Sequence, residues 1–287
     1  VSIDFALADA TGVLADPCAQ PLQGLGSGQV EALLHDARFY VANLHLTSSS
    51  GADVKVALDA TTEQLSRGAD TIALIDLRAT SGCTSGSGSG HRSITGTVPA
   101  GDYVGLRLTL GVPEALNHVD PSDSQFAPLD NPTLAWDWTS GHKHLQLELA
   151  PKSAVTGQFA QGVLSPDGSR STLQQFHLGS TSCSAQLRNG ATEYYCTGVN
   201  TRDIRLAAFD PATQRVVLDL KALLGGLDLR ADAGGSAVGC MSDAADPECL
   251  PLWTALGGSA AGGQIQPLGL ETPWAVTSTS AIRAAAK

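Results

Sequence analysis

The chain has 287 residues, 17 Lys and Arg against 28 Asp and Glu, a formal net charge of -11 and 43% hydrophobic residues. That content supports a sizeable core, while the sparse cations form no basic run of the kind nucleic-acid binding needs. No apolar stretch reaches the ~18 residues that would suggest a membrane-spanning helix. An acidic surface favours solubility and weakly concentrates cations.

The first residues, VSIDFALADATG, alternate, with Ile3, Phe5 and Leu7 on one face, as in a half-buried strand. The sequence is read as a mature form whose leader has been removed. Ser27 is placed to cap a short helix over 28–35. ARFYVANLHL follows as a central strand, apolar on both faces, with Phe39, Val41, Asn43 and His45 opposite Tyr40, Ala42, Leu44 and Leu46. VKVALDA and TIALIDL are further strands by β-branched content. After the Gly/Ser loop holding Cys83, SITGTVP and DYVGLRLTLGVP read as a hairpin across Ala100-Gly101-Asp102.

Beyond the 111–144 region, KHLQLELA alternates again. TLQQFHLGS and EYYCTGV flank Asn189-Gly190, a strong hairpin signal. DIRLAAFD is a strand, RVVLDLKALLGG a strand running into a short helix, and PECLPLWTALGG a helix with Leu250, Trp253 and Leu256 on one face. The closing AIRAAAK reads as a disordered tail or expression remnant. Many short strands between Gly/Pro turns argue an all-β sandwich with short helices. No composition break divides residues 1–287, so one domain is expected, with 225–287 as a disulfide-stapled wrapping extension.

Six cysteines, Cys18, Cys83, Cys183, Cys196, Cys240 and Cys249, form no CxxC pair. Scattered through loops, they favour disulfides and an oxidising compartment. Six cysteines admit about 15 connectivities. Local proximity favours Cys183 with Cys196 and Cys240 with Cys249, leaving Cys18 with Cys83.

The densest chemistry lies in 111–144, which holds His118, His142 and His144 together with Trp136 and Trp138. It reads as strand end, long loop, then strand, an arrangement that places functional groups on a braced loop. Trp136 and Trp138, two apart in WDW, share a strand face, as do His142 and His144. His177 lies in FHLGS and His45 in NLHL. A lone buried His is more often a satisfied core residue, and paired tryptophans are more often core. Several imidazoles on strands of one sheet instead suit Cu, Zn, Fe or Ni. With one Met and oxidised cysteines, a blue-copper thiolate site is excluded. G-x-S-x-G and HExxH are both absent, and the acidic VDPSDSQ and PLDNP lack the EF-hand order. No nucleophilic catalyst is evident, so a non-enzymatic protein is expected.

FYVANLHL, IALIDL, ITGTVPAGDYVGLRLTLGVPEALNH, LAWDWTSGHKHLQLEL, FHLGSTSC and GCMSDAADPEC together resemble the MbnP-like proteins, over most of residues 1–257. These are periplasmic or cell-surface copper-binding partners of a dihaem MauG-like enzyme, MbnH, and are related to MopE and CorA of methane-oxidising bacteria. The resemblance implies that a tryptophan, Trp136 or Trp138, is oxidised to kynurenine. It implies copper ligands at His118 and His177, with His45, His142 and His144 as further candidates. It places the four-Cys motif on Cys183, Cys196, Cys240 and Cys249. At His142 and His144 this chain departs from the aromatic residues frequent in the family. The expectation is therefore a secreted or periplasmic copper-binding protein of copper homeostasis or acquisition. The alternative is a structural or adhesive secreted β-sandwich without a functional metal site.

Overall fold

The architecture follows from one strand. In the computed structural model, which describes residues 1–79, 83, 88–137, 139–188, 190–235, 237–243, 245–257, 260–261, 264–265 and 281–287, a single strand runs from Val30 to Ser48. Its sequence contains neither Gly nor Pro and is rich in apolar and aromatic residues, so nothing interrupts the ladder. The helix expected over 28–35 does not form. Val30, Ala32 and Leu34 alternate into the core instead, because cross-strand pairing on both edges outweighs a weak helical pattern.

This spine strand carries five partners. Phe39 pairs with Leu145 on one edge and Ile75 on the other, which assigns the two sides. One edge takes Lys143–Pro151 against Ala32–Phe39 and Tyr103–Leu110 against Val41–Ser48. The other takes Leu22–Leu25, Asp70–Asp76 and Asp53–Lys55. Gln174–Gly179 then joins Lys143–Pro151, and Arg202–Leu206 joins Tyr103–Leu110, within a 10-stranded sheet. Ser2–Asp9 centres the facing 6-stranded sheet, between Gln214–Asp219 and Ser93–Thr97. Ile3, Phe5 and Leu7 meet Phe39 and Val41 in the layer between, where the Phe5 and Phe39 rings stand edge to face at 6.0 Å.

The side-chain phase of the spine changes at Asn43. Phe39 and Val41 face the core, and so do Leu44 and Leu46, although simple alternation puts those pairs on opposite faces. The ladder register shifts there, with Arg107 opposite His45 and Thr109 opposite Ala42. Asn43 takes φ 49°, and its side chain donates to Asp70 Oδ1 (3.1 Å) and accepts from the Thr71 N–H (3.1 Å). A bulge thus keeps both halves of a long strand amphipathic toward one core.

Other expectations are corrected by strand partnership. Ser93–Thr97 and Tyr103–Leu110 are not a hairpin: the chain between them crosses from one sheet to the other. VKVALDA splits at Val56 into Asp53–Lys55 and Ala57–Leu58, one in each sheet. Gln174–Gly179 lies in the large sheet, so the hairpin at 189–190 consists of Thr181–Arg188 and Ala191–Gly198. The closing residues are not a tail, because Ile282–Ala286 pairs with Gln214–Asp219. The three disulfides are Cys18–Cys83, Cys183–Cys196 and Cys240–Cys249.

Replacing Asn43 by Ala puts at φ 49° a residue that tolerates the left-handed region less well than Asn, and removes both side-chain hydrogen bonds. Urea denaturation is expected to show a loss of about 2–4 kcal/mol at unchanged m-value. A loss no larger than that of a surface control rejects the phase-setting role.

Candidate metal centre

Between Leu110 and Lys143 the spine has, among the described residues, no partner on that edge except the Gly111 N–H, which donates to Tyr40 O at 2.8 Å. Residues 111–142 leave the sheet through this fork. They fold back over its outer face with an apolar cluster of their own, Val112, Leu116, Leu129 and Leu134 against Tyr40, Ala42, Ile72 and Leu74. The Tyr40 hydroxyl donates to Pro128 O at 3.1 Å. On the far side Arg38 and Lys143 reach Thr133 from the sheet, at 2.9 Å to Oγ1 and 3.0 Å to O. A long loop is thereby held as firmly as a regular element.

Within it, a short helix over Glu114–Asn117 sets Glu114 and His118 one turn apart on one face. His118 Nε2 lies 3.6 Å from Glu114 Oε1 and 3.3 Å from Asn117 Nδ2. The hairpin of Thr181–Gly198 covers this end. Tyr194 stacks on the imidazole at 5.9 Å with a 30° tilt, the Cys196 N–H donates to Glu114 Oε1 at 2.7 Å, and Cys196 Sγ is 3.5 Å from His118 Nε2. Ligand atoms of Glu114, His118 and Cys196 all lie within 4.8 Å of one another. Cys196 is bonded to Cys183, so its sulfur is not a thiolate. The effective donors are one imidazole and one carboxylate, and Glu114 Oε2 is buried without a hydrogen-bond partner.

The tryptophan motif adjoins this group. Trp136 packs on Gly179, where an added Cβ would sit 2.6 Å from the indole, so only glycine seats the ring. Gly141, at φ 76°, lets the return of the loop press against Asn117, with an added Cβ 2.4 Å from its Nδ2. Asp137 is exposed. Its carboxyl is held below the usual range by the Ser140 N–H first, then by the Ser140 hydroxyl, the Thr139 N–H and the charge of His118. Trp138 lies outside the described residues.

The remaining imidazoles are not gathered at His118. His177, two residues from Gly179, directs Nε2 to Glu148 Oε1 at 2.8 Å, and His35 directs Nδ1 to Glu148 Oε2 at 2.8 Å. Despite burial, these bonds hold Glu148 below the usual carboxylate range. His142 aims Nδ1 at Asn117 O (2.8 Å) and Nε2 at Leu129 O (3.0 Å), so neither nitrogen is presented to a metal. His144 is 2% exposed beside Gly111, and burial first, then the charges of His142 and Arg202, lower its pKa to about 3 against a hydrogen bond with the Asn200 backbone. His45 turns Nδ1 to Asn43 O at 2.7 Å beyond the bulge, across from Lys55 and Arg107.

The MbnP family pattern matches residues 17–242. The chain belongs to the MbnP family. A solved structure titled MbnP from Methylosinus trichosporium superimposes at a TM-score of 0.81 with 30% identity, covering 100% of this chain and 98% of that one. No curated protein matches. The MbnP match contains His118, Trp136, Trp138, His177, Cys183, Cys196 and Cys240, while Cys249 lies beyond it. Sequence reasoning did not single out Glu114 or Glu148. The i,i+4 relation of Glu114 to His118 was the one available signal. Nothing local marks Glu148, which a cross-strand register brings to both histidines.

A neutral buried His144 makes stability depend on pH. Its folded pKa lies below the unfolded value of about 6.5, so the unfolded chain binds the extra proton. The stability is fully present above about 6.5 and lost as pH falls toward about 3. His144→Leu is expected to flatten unfolding free energy against pH between about 4.5 and 6 by up to ~1.4 kcal/mol per pH unit. An unchanged slope contradicts this account.

Proposed function

We propose that this MbnP-family protein binds copper at the rim of the 111–142 loop. In this reading His118 is the anchoring imidazole, and the WDW segment supplies a further nitrogen after oxidation of a tryptophan to kynurenine. The observation that carries the reading is the buried, unpartnered Glu114 Oε2 beside His118, under a hairpin and next to the tryptophan motif. One imidazole and one carboxylate are a meagre set for Cu(I), which favours nitrogen and sulfur ligands. The aromatic amine of kynurenine at Trp136 or Trp138 would remedy that. His177, two residues from the Gly179 that seats Trp136, has Nε2 engaged by Glu148 and is not gathered at His118, so only its Nδ1 would be open to such a site. When bound, copper would be sequestered and delivered rather than used in turnover, and the protein is a carrier and not an enzyme.

The oxidation balances with peroxide as oxidant. Two peroxides are reduced to water as two oxygens enter across the indole C2–C3 bond. Water then releases the formyl carbon as formate. A dihaem MauG-like partner fits an indole within reach of solvent, with Asp137 exposed and Trp136 half-buried. A high-valent haem docked there would need only electron transfer from the indole. Three disulfides suit a periplasmic or secreted location. These features support a role in copper acquisition or homeostasis.

Titration with Cu(I) and Cu(II) tests the site. His118→Ala is expected to weaken binding by at least about tenfold, and Glu114→Gln to weaken it less, with His45→Ala unchanged. Equal binding by wild type and His118→Ala removes the anchor. Treatment with the dihaem partner and peroxide is expected to shift the peptide containing Trp136 and Trp138 by about +4 Da, two oxygens gained and one CO lost. An unshifted peptide removes the kynurenine step.

A further inference from the structure

The disulfide of the covering hairpin has two unlike ends. Cys183 is half-buried, and its Sγ lies 3.9 Å from the carbonyl oxygen of Ser140. Cys196 is 7% exposed, and its Sγ lies 3.7 Å from Asn117 Nδ2, which donates toward it, and 3.5 Å from His118 Nε2. One sulfur therefore faces an acceptor, and the other faces an amide donor and an imidazole. The bridge between Cys240 and Cys249 is unlike this one, since both residues are 0% exposed. Among the described residues, neither of the other two disulfides belongs to a group of metal-ligating atoms.

The spacing around Cys196 is that of a coordination polyhedron. Tetrahedral zinc, with bonds of about 2.3 Å to sulfur and about 2.0–2.1 Å to nitrogen and oxygen, holds neighbouring ligand atoms about 3.4–3.6 Å apart. Cys196 Sγ is 3.5 Å from His118 Nε2, and that nitrogen is 3.6 Å from Glu114 Oε1. Three donor types thus stand near tetrahedral spacing before any ion arrives. What keeps the set incomplete is the bond from Cys196 to Cys183, because the thiolate and not the disulfide sulfur is the ligand.

We propose that the Cys183–Cys196 disulfide is a redox switch on this centre. When a dithiol reductant opens it, Cys196 joins His118 and Glu114 as a thiolate ligand for a thiophilic closed-shell cation, Zn(II) or Cu(I). The proposal rests on the reading that His118 anchors a metal. The exchange has a direction. A thiolate of the reductant attacks Sγ of the less buried Cys183, the S–S bond breaks, and its electron pair leaves on Cys196 Sγ beside the Asn117 amide. The second thiol of the reductant then displaces Cys183 and closes the reductant's own disulfide. Two electrons and two protons pass from the dithiol to the protein, and the cation releases the Cys196 proton to solvent as it binds.

The fold holds Cys196 in place once the bond is open. Its N–H still donates to Glu114 Oε1 at 2.7 Å, and Tyr194, two residues back, still stacks on His118. The ladder from Thr181 and Gly198 to Arg188 and Ala191 joins the two strands independently of the sulfurs. Glu114 Oε2, buried without a hydrogen-bond partner, is left for the cation. Metal affinity thereby follows redox state. The oxidised chain offers an imidazole and a carboxylate, and the reduced chain adds the soft donor that these cations favour.

Cys183→Ser tests the switch, because it leaves Cys196 a thiol without any reductant. Titration with Zn(II), Cd(II) and Cu(I) is expected to show one site at least about tenfold tighter than in the oxidised wild type. Cadmium is expected to give a sulfur-to-metal charge-transfer absorption that the wild type lacks. Cys196→Ser breaks the same bridge but frees the other sulfur, and is expected to show neither effect. In the wild type treated with dithiothreitol, alkylation is expected to label Cys183 and Cys196, with zinc protecting Cys196. No gain in Cys183→Ser, an equal gain in Cys196→Ser, or a gain that survives adding His118→Ala overturns the proposal. If Cys183→Ser fails to fold, the dithiol-treated wild type decides, and Cys196 labelling that zinc does not reduce overturns it. Copper titration of the oxidised wild type reads the His118 anchor separately. A wild type that binds copper while Cys183→Ser gains nothing removes only the switch. A gain in Cys183→Ser above a non-binding wild type supports the switch and removes the oxidised site.

Discussion

Hydrogen-bond saturation of one strand is the constraint on which the rest depends. The Val30–Ser48 backbone must be paired on both edges, and no single neighbour is long enough to do it. Two strands share one edge and three the other, and where the two meet, near Tyr40, the sheet is forked. The chain leaves and re-enters the sheet at that fork. The 111–142 excursion is therefore anchored at both ends beside the largely buried spine strand, which is why an irregular segment can hold His118 and Trp136 in defined places.

The outer face of the sheet, rather than the sandwich interior, carries the polar chemistry. Asp36, Arg38, Gln146 and Lys143 form a buried chain, with Gln146 Nε2 on Asp36 Oδ2 at 3.0 Å and Lys143 Nζ on Gln146 Oε1 at 2.8 Å. On the same face of its strand as Gln146, Glu148 binds His35 and His177. Networks of this kind are costly when incomplete and rigid when complete. Here the network ties the 111–142 loop to the sheet, while burial fixes His144 as a neutral packing residue. Histidines close in sequence thus serve different ends. His142 is spent on two carbonyls, His144 on packing, and His118 faces a carboxylate under a disulfide-bonded hairpin.

The strands with clean patterns were legible. Ile3, Phe5 and Leu7, and Leu145, Leu147 and Leu149, lie in the core as their periodicity requires, whereas the helix around Trp253 buries Leu252 with Trp253 and Leu256 and leaves Leu250 partly exposed. Partnership was not legible. A two-residue period states which face is buried but not which strand lies alongside, so SITGTVP and DYVGLRL read as a hairpin although they lie in opposite sheets. The phase change at Asn43 escaped for a related reason, since a bulge breaks the alternation used to find faces.

The sequence by itself determined that the chain is an all-β protein of the MbnP kind, with disulfides of which two close short loops. Those properties follow from local composition, alternation and motif identity. Only the tertiary structure decided which histidines have a nitrogen to offer. Coordination depends on what the second ring nitrogen and the surrounding carbonyls do, and those partners, Glu114 excepted, come from distant parts of the chain.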